Sequence, residues 1–179
     1  MPPFFDMGRT RKFEPLEVLA AAPINSKREV LLVEPGEDDG LTEAIAAAVE
    51  GLDGVDDIRV RVQALAEYVA TRMGGAHDPE THNEFGSFEY GITRLKVSHG
   101  SNVVPIGAVT NGVFYHRALL FKVLADAVGL PCSLVRGSYT RAWNVIVAEG
   151  YECVVDLMYR VGTLHVVGKP AAGYYCSIN

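Results

Sequence analysis

Apolar and polar positions form their most regular pattern in the stretch that follows residue 57. Five apolar residues recur there at steps of four, three, four and four, the spacing of one face of an α-helix: Ile58, Val62, Leu65, Val69 and Met73. Asp56 or Asp57 can cap the start of this helix, and Gly74-Gly75 can end it in a left-handed conformation. We predict a helix over residues 58–73 whose apolar face belongs to the core.

A second, more apolar helix is predicted over residues 113–128. The turn Asn111-Gly112 precedes it, Gly129 can terminate it, and Pro131 prevents its continuation. Apolar residues lie on most of its faces, which is typical of a buried helix. Three strands are predicted after it, over residues 132–136, 142–147 and 152–157, and the last two form an antiparallel hairpin.

The chain before residue 58 carries a weaker pattern. Residues 1–40 hold five of the nine prolines, and within them we predict a short strand over 27–33 and a loop over 34–40. The alanine-rich residues 41–50 predict a short helix. The segment 51–57 breaks the pattern, so we place a boundary there between an acidic N-terminal arm, residues 1–57, and a domain, residues 58–179.

Between the two main helices the pattern is ambiguous. We predict a polar loop over residues 77–91, a strand over 92–97, a turn over 98–102 and an extended segment over 103–107. Taken together, the elements predict an α+β fold in which a central buried helix packs on an antiparallel sheet.

The negative charge of the chain is concentrated in the arm. Residues 1–57 hold 13 acidic and 5 basic side chains, whereas residues 58–179 hold 9 and 11, and the net charge is −6. This balance lacks the basic face of a nucleic-acid-binding protein, and the arm is either a solvated segment or a contact for a basic protein surface. Since no apolar run could span a membrane and the N-terminus does not resemble a signal peptide, we expect an intracellular protein.

The residues with metal-binding or thiol chemistry are scattered. The three cysteines have no CxxC spacing, which predicts buried reduced thiols: Cys132, Cys153 and Cys176. A loop holds five side chains of metal-binding type, but no helix fixes their spacing: His77, Asp78, Glu80, His82 and Glu84. We predict neither a metal site nor a cofactor.

The order of a buried helix, a strand and a two-stranded hairpin is the layout of thiol hydrolases and transglutaminases. In such enzymes a cysteine begins the helix, where free amides and the helix dipole stabilise its thiolate. A histidine on one hairpin strand is the base, and a carboxylate on the next strand orients it. The helix here begins at Phe114, where that cysteine is expected.

Several motifs, in this order along the chain, resemble one family. They are Val104-Pro-Ile-Gly107, the helix from Gly112 to Asp126, the segment Gly129–Gly137, Arg141-Ala-Trp-Asn144 and Val155-Asp-Leu157. They resemble the papain-like or transglutaminase-like domain shared by plant Raf-like kinases, of the ethylene-response and disease-resistance type, and by armadillo-repeat-containing protein 3. The resemblance covers residues 60–158 and is nearer to the armadillo-repeat protein, which shares Phe114-Tyr-His-Arg where the kinases place a cysteine at the position of Phe114.

The resemblance implies a degenerate catalytic triad. The nucleophile position falls on Phe114, the base position on Arg141, and the orienting carboxylate is Asp156. A phenyl ring cannot attack a substrate, and a guanidinium group, with a pKa above about 12, does not accept a proton at neutral pH. We therefore predict a pseudoenzyme with no catalytic residue, in which Arg141 and Asp156 form a salt bridge across the hairpin.

Other residues are poorly placed to replace the nucleophile. Cys132 lies beyond the far end of the helix that Phe114 begins, on the order of 20 Å away at 1.5 Å per residue. On a regular strand Cys153 points to the face opposite Asp156. His116 is turned about 200° from Phe114 around the helix, and we interpret it as a structural histidine. Trp143 is assigned to the core.

Three functions follow as hypotheses. The first is a non-catalytic scaffold or protein-interaction subunit of a larger assembly, whose arm contacts an armadillo-repeat protein or a microtubule-associated scaffold. Because armadillo-repeat-containing protein 3 is associated with cilia and flagella, the resemblance implies a cytoskeletal, axonemal setting, with neither nucleic acid nor membrane as partner. The second is a thiol hydrolase with a relocated cysteine nucleophile. The third is a regulatory ligand-binding module in signalling.

Overall fold

The computed structural model describes residues 5–6, 14–25, 29–78, 86–137 and 141–176. Within them helices and strands form a mixed α+β architecture, as predicted. The helices are α1 (Leu16–Ala20), α2 (Asp39–Gly51), α3 (Ile58–Arg72), α4 (Gly86–His99), α5 (Phe114–Ala127) and α6 (Pro170–Tyr175). The strands are β1 (Phe5–Asp6), β2 (Val30–Leu32), β3 (Val103–Pro105), β4 (Ser133–Arg136), β5 (Ala142–Ala148), β6 (Tyr151–Val155) and β7 (Leu164–Val166).

The main sheet of the described residues has the strand order β1-β4-β5-β6-β7. Strands β4 to β7 are antiparallel to one another, whereas β1 runs parallel to β4 at the edge. The predicted hairpin is confirmed: β5 and β6 pair Ala148 with Tyr151 around Glu149-Gly150. Both turn residues have positive φ, 53° and 81°, as in the two-residue turns that match the twist of the strands.

Helix α5 is central, as predicted, and packs on β4 and β5 with α2 and α3 also against it. The helix α3 begins at its predicted cap, because the Asp57 carboxylate accepts from the amides of Arg59 and Val60. It ends where Gly74 and Gly75 adopt φ of 96° and 86°, values that glycine reaches without a steric penalty.

Helix α2 joins the same core as α5, since Leu41 and Ala44 are fully buried within it. A buried carboxylate fixes its start: Asp38 accepts from the amide of Leu41 at 3.0 Å and from the amide of Gly107 at 2.7 Å. Strand β2 pairs with β3 in parallel. The domain boundary proposed at residues 51–57 stays a prediction. Two elements that precede it contact elements that follow it, since α2 packs on α5 and β2 pairs with β3.

Two predicted elements were wrong. Residues 92–97 were expected to form a strand and residues 86–91 to belong to the loop over 77–91, but α4 covers Gly86–His99. The reason is the spacing of Phe88, Ile92 and Lys96, each four residues apart and each buried on one face of the helix. The turn predicted at 98–102 therefore begins only at Gly100, which has φ of 59°. No helix of the described segments is both long and apolar enough to cross a bilayer.

Candidate functional site

Phe114 is the first residue of α5 and lies in the position predicted for a nucleophile. Its side chain is 3% exposed. The rings of Tyr159 and Tyr175 each meet it edge-on, with centroids 6.1 Å away, and Trp143 and Met158 complete the cluster. The remaining space beside the ring is about 10 Å³, roughly the least volume that a water molecule needs. The cleft is therefore closed by the phenyl ring.

Arg141 stands one residue before β5 and covers the outer face of this ring. Its guanidinium carbon lies 4.0 Å from the centroid of Phe114 and 5.7 Å from that of Tyr174. Both distances allow a cation–π interaction. One of its terminal nitrogens, Nη1, is buried without a hydrogen-bond partner. The arginine at the predicted base position thus covers the Phe114 ring.

Asp156 follows β6, and its carboxylate organises the turn after the strand. It accepts hydrogen bonds from the amides of Met158, Tyr159 and Arg160 at 2.8 to 2.9 Å. Burial by itself would raise the pKa of Asp156, but the nearby Tyr175 hydroxyl and these three amides bring it below its usual value. The carboxylate is stabilised as an anion by neutral donors.

The predicted salt bridge between Arg141 and Asp156 is not formed. The carboxylate of Asp156 is engaged by the turn amides and by a histidine, whereas the guanidinium of Arg141 lies over aromatic rings. The physical reason is that the 158–160 turn offers three donors within the same short segment, so the anion needs no cation from the hairpin.

His165 is the histidine that contacts Asp156, and the sequence analysis missed it. It lies on β7, where it pairs with Val154, and its Nε2 is 3.4 Å from Oδ2 of Asp156. Its ring stacks on Tyr175 with a centroid distance of 5.5 Å. The alternation of Leu164, His165 and Val166 after a glycine turn was the available signal, but three residues are too few to define a strand.

A histidine and a carboxylate therefore meet in this cluster, but they face no activated nucleophile among the described residues. Burial, followed by the neighbouring Asp156, raises the pKa of the Tyr175 hydroxyl, which keeps it protonated. Burial also raises the pKa of Cys132 to about 12. Cys153 belongs to the core on the other face of the sheet, and burial raises the pKa values of Cys153 and Cys176 as well.

His116 forms a second polar cluster on the other side of α5. It is fully buried, and its Nδ1 accepts from the amide of Val113 at 3.2 Å. The proton is thus on Nε2, which donates to Glu29 at 2.7 Å. Tyr115 donates to the other oxygen of Glu29, also at 2.7 Å. The structural role predicted for His116 is confirmed, while Glu29, distant in sequence, was not foreseen as its partner.

Arg117, the next residue, is also fully buried and connects three segments. It donates to the carbonyls of Gly112 and Leu157 and of Met73, at 2.7 to 2.8 Å. These bonds tie the end of α3 and the segment after β6 to the start of α5. The position of Phe114 in the cleft therefore depends on Arg117.

No metal-binding group of three or more His, Cys, Asp or Glu side chains occurs among the described residues. His77 and Asp78 belong to that part of the chain, whereas Glu80, His82 and Glu84 lie outside it.

A separate cavity of about 310 Å³ lies between α4 and the loop that precedes α5. Its walls are partly apolar: Ile92, Leu95 and Val109, together with Arg94, Ser98 and Thr110.

Comparison with known proteins confirms the resemblance read from the motifs. A family model described as EDR1/CTR1/ARMC3, peptidase-like, matches residues 3–165. Human Armadillo repeat-containing protein 3 is 38% identical over 154 residues, which is 79% of this chain and 18% of that protein.

Two plant kinases of Arabidopsis thaliana are also similar. The probable serine/threonine-protein kinase SIS8 is 45% identical over 120 residues, 63% of this chain and 11% of the kinase. The serine/threonine-protein kinase CTR1 is 30% identical over 165 residues, 89% of this chain and 20% of the kinase. The chain thus spans a fifth or less of the length of each of these curated relatives. No solved structure matches it significantly.

Proposed function

This chain belongs to the EDR1/CTR1/ARMC3 peptidase-like family, and from that premise we propose that it is a non-catalytic protein-interaction module of a larger assembly. The observation that carries the proposal is the pair Phe114 and Arg141. They stand at the positions predicted for a nucleophile and a base, and their side chains fill the cleft between α5 and the hairpin. A domain that retains this scaffold without its chemistry is suited to recognition.

The described thiols support the same proposal over the thiol-hydrolase alternative. A relocated cysteine would need a lowered pKa and access to substrate. Instead, burial raises the pKa of Cys132 to about 12, and Cys132 and Cys153 are 3% and 4% exposed. Asn144 donates to the sulfur of Cys132 at 3.5 Å, and the thiol itself faces the carbonyl of Ser133 at 3.6 Å. Neither group is a base.

Catalysis is tested with a fluorogenic peptide library and a glutamine-donor transamidation assay on the full chain. We expect no turnover above the background rate measured in buffer without the protein. A rate that disappears in Cys132→Ser, Cys153→Ser or Cys176→Ser would establish the hydrolase alternative instead. A Phe114→Cys/Arg141→His chain is the positive comparison, because it places a thiol and an imidazole at the two predicted triad positions.

The proposed partner is a protein with a basic surface, within an armadillo-repeat protein or a microtubule-associated scaffold. Residues 29–58 contain ten acidic side chains and no basic one. Except for Glu29 and Asp38, all of these acidic residues are exposed, on and around α2. Such a surface steers a basic partner through long-range attraction. The ciliary or flagellar axoneme is the setting we propose for that assembly.

This partner proposal is tested by charge reversal of exposed acids on α2 and just after it. A Glu43→Lys/Glu50→Lys/Asp53→Lys chain should lose recruitment to axonemes and co-sedimentation with a purified armadillo-repeat partner. The matched control reverses three exposed acids elsewhere, Glu67, Asp126 and Glu152, with the same change in net charge. Equal loss in both chains, or in neither, would contradict the proposal.

One observation favours a ligand-binding role as a second candidate. The cavity beside α4 has a volume of about 310 Å³, at the lower end of the range for small-molecule pockets. Nuclear magnetic resonance screening of small molecules against the folded chain tests it. Chemical-shift changes confined to Ile92, Leu95 and Val109 would support the candidate, and their absence across the library would remove it.

A further inference from the structure

The last described helix, α6, lies directly on the closed cleft. Two of its residues are buried, Ala172 at 1% and Tyr175 at 4% exposure, whereas Tyr174, which lies between them in sequence, is 53% exposed. Ala172 and Tyr175 are three residues apart, so they share one face of the helix. This face rests on β6 and β7, and it belongs to the same cluster as Phe114.

Tyr175 is held by aromatic groups of the degenerate site. His165 stacks on its ring, and Phe114 and Tyr159 meet it edge-on at 6.1 Å. Its hydroxyl is buried near Asp156 but forms no hydrogen bond of normal geometry, and the two groups shift each other's pKa. The residues around the former triad thus form a receptor for one tyrosine side chain.

The helix itself is weakly built. It has six residues, no side-chain cap at its N-terminus and a glycine, Gly173, in its interior. Helices this short are unstable in water without tertiary contacts, and an interior glycine costs about 1 kcal/mol more than alanine. Gly168, with φ of 84°, provides a turn just before it. Its attachment depends mainly on Ala172 and Tyr175.

The match to the family model ends at residue 165, before α6 begins. The receptor residues Phe114, Asp156 and His165 therefore lie within the family domain, whereas the segment that occupies them lies outside the matched region. An occupant from outside the matched region can be exchanged for another segment of the same chemistry.

We propose that the surface formed by Phe114, Tyr159, His165 and Asp156 is a peptide-binding site, which α6 occupies within the chain and which a partner segment with a small residue three positions before a tyrosine can take over. The inference deepens the proposed function, on which it rests, by naming one interaction surface. When α6 detaches, the partner's tyrosine takes the place of Tyr175. The partner's small residue takes that of Ala172 against β6 and β7.

The first test is hydrogen exchange of the full wild-type chain. If α6 is a displaceable occupant, the amides of residues 171–176 should exchange at least about 100-fold faster than those of α5 and β5, because they open without global unfolding. Protection of α6 equal to that of β5 would mean that it opens only with the core, and this would overturn the proposal. The measurement requires no substitution.

The second test is binding in trans. A fluorescent synthetic peptide of residues 168–176 should bind a Tyr175→Ala chain at least about tenfold more tightly than wild type, because the wild-type site is already occupied. The Tyr151→Ala chain is the matched control, since Tyr151 is exposed on β6 and its loss should leave binding at the wild-type level. A peptide with alanine in place of the last tyrosine should not bind.

Equal binding to all three chains, or undiminished binding of the alanine peptide, would refute the site. The result is separable from the proposed function. If the chain still joins its assembly but the peptide does not bind, only the peptide-binding site is refuted. If the peptide binds but the chain is never recruited to an assembly, the proposed interaction role is refuted.

Discussion

The guanidinium of Arg141 lies 4.0 Å from the centre of the Phe114 ring, so the residues at the predicted base and nucleophile positions contact each other directly. In an active thiol enzyme the same two positions exchange a proton. Here the contact is between a cation and an aromatic face. The contact stabilises the closed cleft.

This contact can be measured in a double-mutant cycle. Phe114→Leu and Arg141→Met each remove one partner while retaining apolar bulk. We expect a coupling energy of about 0.5–2 kcal/mol in urea unfolding, the range of a partly desolvated cation–π pair. Phe114→Ala should cost about 3–5 kcal/mol, because it leaves a cavity in a packed cluster. Additive effects of Phe114→Leu and Arg141→Met would show that the ring and the guanidinium do not interact.

Arg117 should be among the most sensitive positions of the chain. Its side chain donates to the carbonyls of Gly112, Leu157 and Met73. Arg117→Met would remove the side-chain donor of the Gly112 and Leu157 carbonyls, whereas the Met73 carbonyl keeps a hydrogen bond from the amide of Gly112. Since each buried unsatisfied group costs about 1–3 kcal/mol, we expect a loss of about 2–6 kcal/mol in unfolding free energy. Arg117→Lys should recover only part of this loss, because an ammonium group lacks the planar fork.

Lys122→Met, five residues along α5, is the control for Arg117. Lys122 pairs with Asp126 near the surface, and surface ion pairs contribute about 0–1 kcal/mol. Similar destabilisation by Arg117→Met and Lys122→Met would contradict the bridging role of Arg117.

The contact between Glu29 and His116 should make the free energy of unfolding depend on pH in the acidic range. Burial would raise the pKa of Glu29, but hydrogen bonds from His116 and Tyr115 bring it below the ordinary value of 4.5. A carboxylate with a lowered pKa contributes stability above pH 4.5, and the contribution is lost as the pH falls through the folded-state value. Glu29→Gln should therefore cost about 1–3 kcal/mol at pH 7 and progressively less below pH 4.5.

Guanidinium unfolding of wild type and Glu29→Gln between pH 7 and pH 3 measures this difference. Asp156 also has a lowered pKa, so it adds its own loss in the same range to both chains and cancels in the comparison. A difference that stays constant with pH would exclude a role for the charge of Glu29.

The parts of the fold that were predicted correctly from the sequence are those whose conformation is determined by residues close together along the chain. Helix α3 has a regular stripe, an aspartate cap and a double glycine end, and α5 has a glycine and a proline after it. The hairpin of β5 and β6 is likewise defined by a turn between two apolar runs. In each case neighbours along the chain decide the conformation, so the pattern is sufficient.

The parts that were missed depend on residues far apart in sequence. Helix α4 begins at Gly86 and includes Gly91, and its apolar face is visible only once the helix is assumed. The contacts of Glu29 with His116 and of His165 with Asp156 join elements that only tertiary packing brings together. For Asp156, the spacing along the hairpin suggested Arg141 as the partner, whereas the donors of its own turn were closer.

Gly107 should not tolerate a side chain, because the chain passes it too closely. A Cβ there would lie 2.2 Å from the amide nitrogen of Leu41 and 2.3 Å from the Asp38 carboxylate. Gly107→Ala must therefore separate the start of α2 from the loop before α5, and it should break the bond from the Gly107 amide to Asp38. We expect a loss of about 2–4 kcal/mol in thermal or urea unfolding, within the range of overpacked cores.

Gly91→Ala is the matched control, since Gly91 lies in α4 and a Cβ there would meet nothing within 4 Å. That change should stabilise the chain by about 0.5–1 kcal/mol through helix propensity. If both substitutions were neutral, the close approach of α2 to Gly107 would be refuted.

The three thiols should react slowly with iodoacetamide while the chain is folded. Burial raises the pKa of Cys132 to about 12, so almost no thiolate is present at pH 7, and the folded chain shields the sulfur. Cys176 is the most exposed of the three and should react first, followed by Cys153 and Cys132 only as the chain opens. Because the unfolded thiol ionises near pH 8.5, a raised folded pKa also predicts that stability declines as the pH rises above that value.

Mass spectrometry of tryptic peptides after timed alkylation at pH 7 gives each rate separately, and a denatured sample supplies the reference. We expect Cys132 to be at least about 1,000-fold slower in the folded chain than in urea, in line with protection by global opening. Cys132→Ser removes the signal and identifies its peptide. A folded rate for Cys132 equal to that of the denatured thiol would revive the hydrolase hypothesis, because only an exposed, ionised sulfur reacts so fast.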